Sequence, residues 1–143
     1  MSTRTNYSFD FNKGLVGFLE NKLKQNKFQD RVHLFSADIQ GSLQEINNEK
    51  FNLIITAGVL EYVPIEQTVA NLSRFLLPGG YFLNSPVKNN LVGKITGWFY
   101  VFKPYSRSRN TQAFTKDGFE LVKLLVHWSF KELHIFKKHR NTE

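Results

Sequence analysis

The sequence predicts an α/β protein whose strands form an open, mostly parallel sheet, and three observations predict it. Residues Phe51–Thr56 are a largely apolar run, which suits a parallel strand covered on both faces. Behind it, Ile65, Val69, Leu72 and Leu76 recur at helical spacing until Pro78-Gly79-Gly80, and Tyr81–Asn84 reads as the next strand of a βαβ unit. The same alternation appears upstream, with Tyr7–Phe11 as a strand, Lys13–Gln25 as a helix and Arg31–Phe35 as a second strand.

Each element follows from its residues. Asn12 is a natural N-cap for the first helix, where Leu15, Leu19 and Leu23 share a face. The second strand ends at Ser36-Ala37-Asp38-Ile39, and the polar segment Gln40–Lys50 leads to the apolar strand. Pro64 opens the next helix, and the Pro-Gly-Gly turn is expected to stop it. Residues 85–113 break the alternation and read as a cap or substrate-covering insertion. Within it Leu91, Val92, Ile95, Trp98, Phe99 and Phe102 form an aromatic, amphipathic helical stretch, followed by a basic loop Lys103–Arg109. Thr115 is expected to cap a last helix, Lys116–Leu125. Ser129–Lys138 reads as a terminal strand with Leu133 and Ile135 on one face and Phe130 and Phe136 on the other.

Composition bounds the function. A chain of 143 residues with 41% apolar content fits one domain and its core. Cysteine is absent, which removes disulfides, thiolate metal sites and a cysteine nucleophile, and suits a reducing cytoplasm. The four histidines show no HxH or HExxH spacing, so no metal site is expected. No run approaches the roughly 20 apolar residues of a membrane span. The net charge of +7 is uneven: residues 1–83 carry eight Lys/Arg against eight Asp/Glu, and residues 84–143 carry eleven against four. Such an excess serves either as a solvated face or as a surface for nucleic acid or acidic lipid. No RNP-like pattern, zinc finger or helix-turn-helix signature accompanies it.

Ligands of parallel sheets bind at the carboxyl ends of the strands, which directs attention to three segments. They are Phe9-Asp10-Phe11-Asn12-Lys13-Gly14-Leu15-Val16, Asp30-Arg31-Val32-His33-Leu34-Phe35-Ser36-Ala37-Asp38-Ile39, and Phe51–Tyr62 with the later run Leu76-Leu77-Pro78-Gly79-Gly80-Tyr81-Phe82-Leu83. In this order and spacing they resemble the class I S-adenosylmethionine-dependent methyltransferases of small-molecule type, over residues 6–85 and more loosely over 111–138. The resemblance implies a Rossmann-like sheet and S-adenosylmethionine as cofactor. It implies that Asp10, followed by Phe11, binds the ribose hydroxyls through its carboxylate. Asp38 would accept from the adenine amino group while Ile39 packs on the ring, and the backbone at Ala57 and Gly58 would face the methionine part of the cofactor. A strand-end or loop-capping aspartate is the alternative role for Asp10 and Asp38. Glu61 and Tyr62 would border the site and are the candidates for a general base, packing or helix entry being the alternative.

Family members also carry a first strand and a turn of the type Glu/Asp-x-Gly-x-Gly-x-Gly, about twenty residues before the ribose-binding acid. Nine residues precede Asp10 and none is glycine, so residues 1–143 are expected to form a single but partial, truncated domain. Without a central strand, its two neighbours are expected either to keep open edges or to pair with each other, and each buried unpaired backbone group costs about 1–3 kcal/mol. The expected activity is methyl transfer to a small acceptor, an apolar one being one option. The alternatives are a non-catalytic interaction module that retains part of the fold, and a basic RNA- or lipid-binding module in which Leu91–Phe102 lies beside Lys103, Arg107 and Arg109. His127 and His134 are expected to be structural, and the oligomeric state is left open.

Overall fold

The structure, a computed structural model, describes residues 6–87, 98, 104–126 and 132–140. The chain divides into two compact units, Met1–Asn48 and Glu49–Glu143.

In the first unit, strand β1 (Asn6–Asp10), helix α1 (Lys13–Gln25) and strand β2 (Val32–Ser36) form a βαβ unit. The strands pair in parallel, Asn6 opposite Val32 through Asp10 opposite Ser36. Tyr7 stacks on His33 and Phe9 on Phe35, at ring-centroid distances of 5.1 and 5.3 Å. Asn12 caps α1 as expected, its Oδ1 accepting from the Leu15 N–H at 3.1 Å. The far end closes as a Schellman motif, in which the Phe28 N–H donates to Leu23 O (2.9 Å) and the Lys27 N–H to Lys24 O (3.2 Å). That closure holds Lys27 at φ 59°, a left-handed conformation glycine would adopt at lower cost. Leu15, Leu19 and Leu23 share a face, but none is buried and Leu15 is exposed. A single 3₁₀ turn, Gln44–Ile46, lies within the polar segment, with Leu43 and Ile46 buried.

The second unit contains β3 (Phe51–Ala57), a 3₁₀ turn at Leu60–Tyr62, α2 (Ile65–Ser73), β4 (Leu76–Ser85), α3 (Arg107–Lys116), β5 (Phe119–Val126) and β6 (Glu132–Lys138). Its sheet has the order β3-β4-β6-β5, with β3 and β4 parallel and β6 antiparallel to both β4 and β5. The sheet is therefore mixed, its parallel part being the expected βαβ unit. Among the described residues, β1 pairs with β2 and β3 with β4.

The core lies on one face of the larger sheet. Phe114 of α3 stacks on Phe136 of β6 at 3.9 Å and meets Phe82 and Phe119 edge-on at 4.8 and 5.6 Å. All four rings are buried, as are Ile65, Val69 and Leu72 of α2. Burial of each such side chain stabilises the fold by about 1.5–3 kcal/mol.

Three expectations are corrected. First, α2 ends at Ser73, so Leu76 belongs to β4 and the Pro-Gly-Gly sequence lies inside a strand. Pairing with β3 overrides the helical periodicity: the Phe51 N–H donates to Phe75 O at 2.7 Å, and Leu76 sits opposite Phe51. The freed carbonyls at the helix end take ammonium donors, Lys138 Nζ on Ser73 O (2.7 Å) and Leu76 O (3.2 Å), and Lys50 Nζ on Arg74 O (2.5 Å). Leu53 then faces Tyr81, so Leu77–Gly80 form an irregular excursion with Gly79 at φ 78°.

Second, β3 is not buried along its whole apolar run, since Leu53 and Ile55 are 47% and 63% exposed. Third, the last helix is Arg107–Lys116, which absorbs part of the expected basic loop. Its cap is Ser106, whose Oγ accepts from the Arg109 N–H at 3.2 Å, whereas the Thr115 hydroxyl donates back to Gln112 O within the helix. The segment expected to be helical, 116–125, instead turns at Gly118 (φ 79°) into β5, as its Phe, Val and Leu content favours beside β6. Strand β6 buries Glu132, His134 and Phe136 on its inner side, with Leu133 and Ile135 on the other as expected. Phe130, His127 and the stretch Leu91–Phe102, apart from Trp98, lie outside the described residues.

Candidate functional site at the strand carboxyl ends

In the first unit, the parallel register sets the carboxyl ends of β1 and β2 side by side. The Ala37 N–H donates to Asp10 O at 3.1 Å, which continues the ladder one residue past β2. The carboxylates of Asp10 and Asp38 thus stand at one edge of a two-stranded sheet. Each also braces its own turn: Asp10 Oδ1 accepts from the Asn12 N–H (2.8 Å) and Asp38 Oδ1 from the Gln40 N–H (2.9 Å). Phe11 is 79% exposed, Asp38 is exposed and Ile39 is half-buried. The four residues selected in this half of the sequence therefore belong to one edge, as two acceptors with two apolar neighbours.

In the second unit, β3 leaves the sheet at Ala57, and Gly58 takes φ 62° while its N–H donates to Ser85 O at 3.1 Å. A Cβ on Gly58 would meet nothing within 4 Å, so the glycine serves the turn rather than close packing. The chain then enters the 3₁₀ turn, where Glu61 and Tyr62 part company. Glu61 is buried, and its Oε1 accepts from the Val87 N–H at 2.5 Å, tying the loop after β4 to the loop after β3. Tyr62 is 53% exposed.

Beneath this edge lies a buried polar layer. Thr56 donates its hydroxyl to Asn84 Oδ1 (3.0 Å), Asn84 Nδ2 donates to Asn110 Oδ1 (3.4 Å), and Asn110 Nδ2 donates to Ser106 O (3.4 Å). Beside it, His134 Nε2 lies 2.9 Å from Glu132 Oε2, and Arg107 grips the same carboxylate through Nη2 (2.7 Å) and Nε (3.3 Å). Burial pushes the Glu132 carboxyl up, but the Arg107 guanidinium and the His134 ring together hold it below the usual carboxylate range. The same pairing raises Arg107 further above its ordinary value.

Sequence reading missed Asn84, Asn110 and Glu132. The available signal was the period-2 placement of Glu132, His134 and Phe136, which puts the carboxylate and the ring on one face of a strand. Arg107 and Arg109, read as part of a free basic loop, are both engaged, the latter with Glu66 at 3.2 Å and over the Tyr105 ring at 4.8 Å. Among the described residues no three His, Asp or Glu side chains are grouped to hold a metal ion, and no helix is long and apolar enough to cross a membrane.

The sequence pattern of a family described as "Methyltransferase domain" matches residues 3–84. No curated protein matches the chain. Among solved structures, it is similar to an O-methyltransferase family 2 protein from Planctomyces limnophilus in complex with apigenin, with 16% identity and a TM-score of 0.75 over 94% of this chain and 43% of that one. An O-methyltransferase family protein from Burkholderia thailandensis gives 10% identity and a TM-score of 0.78 over 96% and 44%. PigF with SAH gives 16% and 0.71 over 94% and 43%. At these identities the likeness establishes the fold, and the chain spans less than half the length of each of the three.

Proposed function

We propose, on the premise that this chain belongs to the methyltransferase domain family, that it serves the transfer of a methyl group from S-adenosylmethionine to a small molecule. The observation that carries the reading is the pair Asp10 and Asp38 at adjacent carboxyl ends of two parallel strands. That is where sheets of this kind hold nucleoside ligands. The residues fit the cofactor chemically. An ionised carboxylate accepts two hydroxyl donors, which suits Asp10 to a ribose, and Asp38 can accept from an exocyclic amine. Ile39 and the exposed ring of Phe11 offer apolar surface to a purine. Gly58 and Ala57 present backbone at the end of β3 for the amino-acid portion.

When bound, the sulfonium supplies an electrophilic methyl group. The part left to the protein is to align an acceptor behind that methyl and to exclude water, which accounts for much of such an acceleration without a dedicated base. Glu61, engaged with Val87, reads as a residue that shapes the edge. Tyr62, exposed beside it, is the better candidate for contact with the acceptor. Apigenin on the Planctomyces protein suits an acceptor that is a small aromatic hydroxyl compound. Residues 85–113 would cover it, and a cytoplasmic setting suits a cysteine-free chain.

Isothermal titration of the full chain with S-adenosylhomocysteine tests the reading. Saturable binding that weakens at least about tenfold in Asp10→Ala is expected, the loss of roughly 1.4 kcal/mol in binding. Unchanged affinity in the variant would remove the ribose role of Asp10. Binding without turnover on any phenolic acceptor would favour a non-catalytic binding module.

A further inference from the structure

Three successive residues at the end of β4 are each tied to a different partner. Ser85 O accepts from the Gly58 N–H (3.1 Å), Pro86 O from the Glu132 N–H (3.2 Å), and the Val87 N–H donates to Glu61 Oε1 (2.5 Å). The turn that follows β3 is thereby pinned at both ends, Gly58 and Glu61, to one strip of chain. The strip is itself fixed. Its central proline has a restricted φ, and the Glu132 that grips it is held in turn by Arg107 and His134. One residue upstream, the Thr56 hydroxyl joins Asn84 across the same two strands.

A carboxylate is a costly group to bury on a turn. Glu61 is 5% exposed, so its charge is tolerated only where donors meet it. The Val87 amide is such a donor, and a hydrogen bond to an ionised acceptor is stronger than one between neutral groups. Leu60 and Val63 are buried beside it, and the Tyr105 hydroxyl donates to Val63 O at 2.9 Å, which seats the exit of the turn. Only Val59 and Leu60 intervene between the two pins, and the Tyr62 N–H closes the turn on Val59 O at 3.1 Å. The Glu61 carboxylate therefore fixes, from three residues downstream, the path of the backbone at Gly58.

We propose, resting on the reading that the backbone at Ala57 and Gly58 receives the amino-acid portion of the cofactor, that Glu61 is a positioning residue for that portion. It sets the backbone through Val87 and does not act as a base. A loop already in its bound shape spares the ordering cost that binding otherwise carries, so the tie adds affinity without touching the ligand. Its effect is confined to one end of the ligand, because adenine and ribose are assigned to Asp38 and Asp10 of the other unit.

Isothermal titration of the full chain with two ligands tests this: S-adenosylhomocysteine, and methylthioadenosine, which keeps adenine, ribose and sulfur but lacks the amino-acid portion. Glu61→Ala is expected to weaken S-adenosylhomocysteine at least about fivefold and methylthioadenosine less than about twofold. Asp10→Ala, by contrast, is expected to weaken both. Glu61→Gln retains an acceptor for Val87 and is expected to bind S-adenosylhomocysteine within about twofold of wild type. Unchanged affinity in Glu61→Ala, equal losses for the two ligands, or a loss in Glu61→Gln as large as in Glu61→Ala would overturn the positioning role alone. A wild-type chain that binds neither ligand would overturn the methyltransferase reading and this role with it. If Glu61→Ala misfolds, Glu61→Asp, which keeps the charge and withdraws the acceptor by one methylene, provides the same comparison. Hydrogen exchange of the Gly58 amide reads the tie without ligand: it is expected to be at least about fivefold faster in the Ala or Asp variant, and unchanged protection would overturn the role as well.

Discussion

Asn84 carries more of the second unit than its chemistry suggests. It is fully buried in β4, takes the Thr56 hydroxyl on its oxygen and gives its amide to Asn110. Asn84→Ala leaves both partners short of a bond, and each buried polar group so stranded costs about 1–3 kcal/mol. Denaturant titration is expected to show a loss in that range and a smaller increment when Thr56→Val is already present; strictly additive losses would mean that the bond contributes nothing. Glu132 gives a pH signature. Its carboxyl ionises below the usual range when folded, so the ionised group stabilises the fold above the unfolded value of about 4.3, and this contribution disappears as pH falls through the lower folded value. The thermal midpoint of Glu132→Gln is therefore expected to lie below wild type at neutral pH and to approach it in acid. Arg107 is half exposed, which holds the magnitude to about 1 kcal/mol. A midpoint difference independent of pH would remove the ion pair from the account.

At the scale of elements, what could be read was whatever depended on neighbours in sequence. Asn12, the spacing of α1 and the apolar run of β3 announce a cap, a helix and a strand on local grounds, and each forms within a residue or two of its expected bounds. What depended on a distant partner was read wrongly. Leu76 continues the helical period of α2, yet it goes to Phe51; residues 119–126 carry helical leucines, yet β6 claims them. The candidate site divides the same way: Asp10 and Asp38 were visible at strand ends, while Asn110 reaches Asn84 only once α3 is laid on the sheet. The Pro-Gly-Gly excursion yields a prediction of its own. A Cβ on Gly80 would stand 2.9 Å from Leu77 O and 3.0 Å from Asn52 O, both backbone atoms that cannot swing aside. Gly80→Ala is expected to cost about 1–3 kcal/mol in chemical unfolding, as overpacking does. A neutral result would mean that β3 and β4 part there without penalty.

At the scale of the whole molecule, the two units differ in how much they bury. None of the residues of α1, β1 or β2 is fully buried, whereas β4 and β6 bury alternate residues along much of their length. Amides of β1 and β2 are expected to exchange with solvent hydrogen by local opening well before those of β4 and β6. Equal protection in both would contradict this, and protection of β1 and β2 that appears only with S-adenosylhomocysteine would tie their order to the ligand. The ring cluster of the larger unit has a further consequence for anyone following its unfolding with light. Phe82, Phe114, Phe119 and Phe136 are all phenylalanine, so the emission normally monitored in such experiments does not originate in this cluster. The chain's two tryptophans are Trp98, which is 79% exposed, and Trp128, which lies outside the described residues. The packing of these four rings would be visible in the fine structure of the near-ultraviolet circular dichroism, where phenylalanine leaves its own bands.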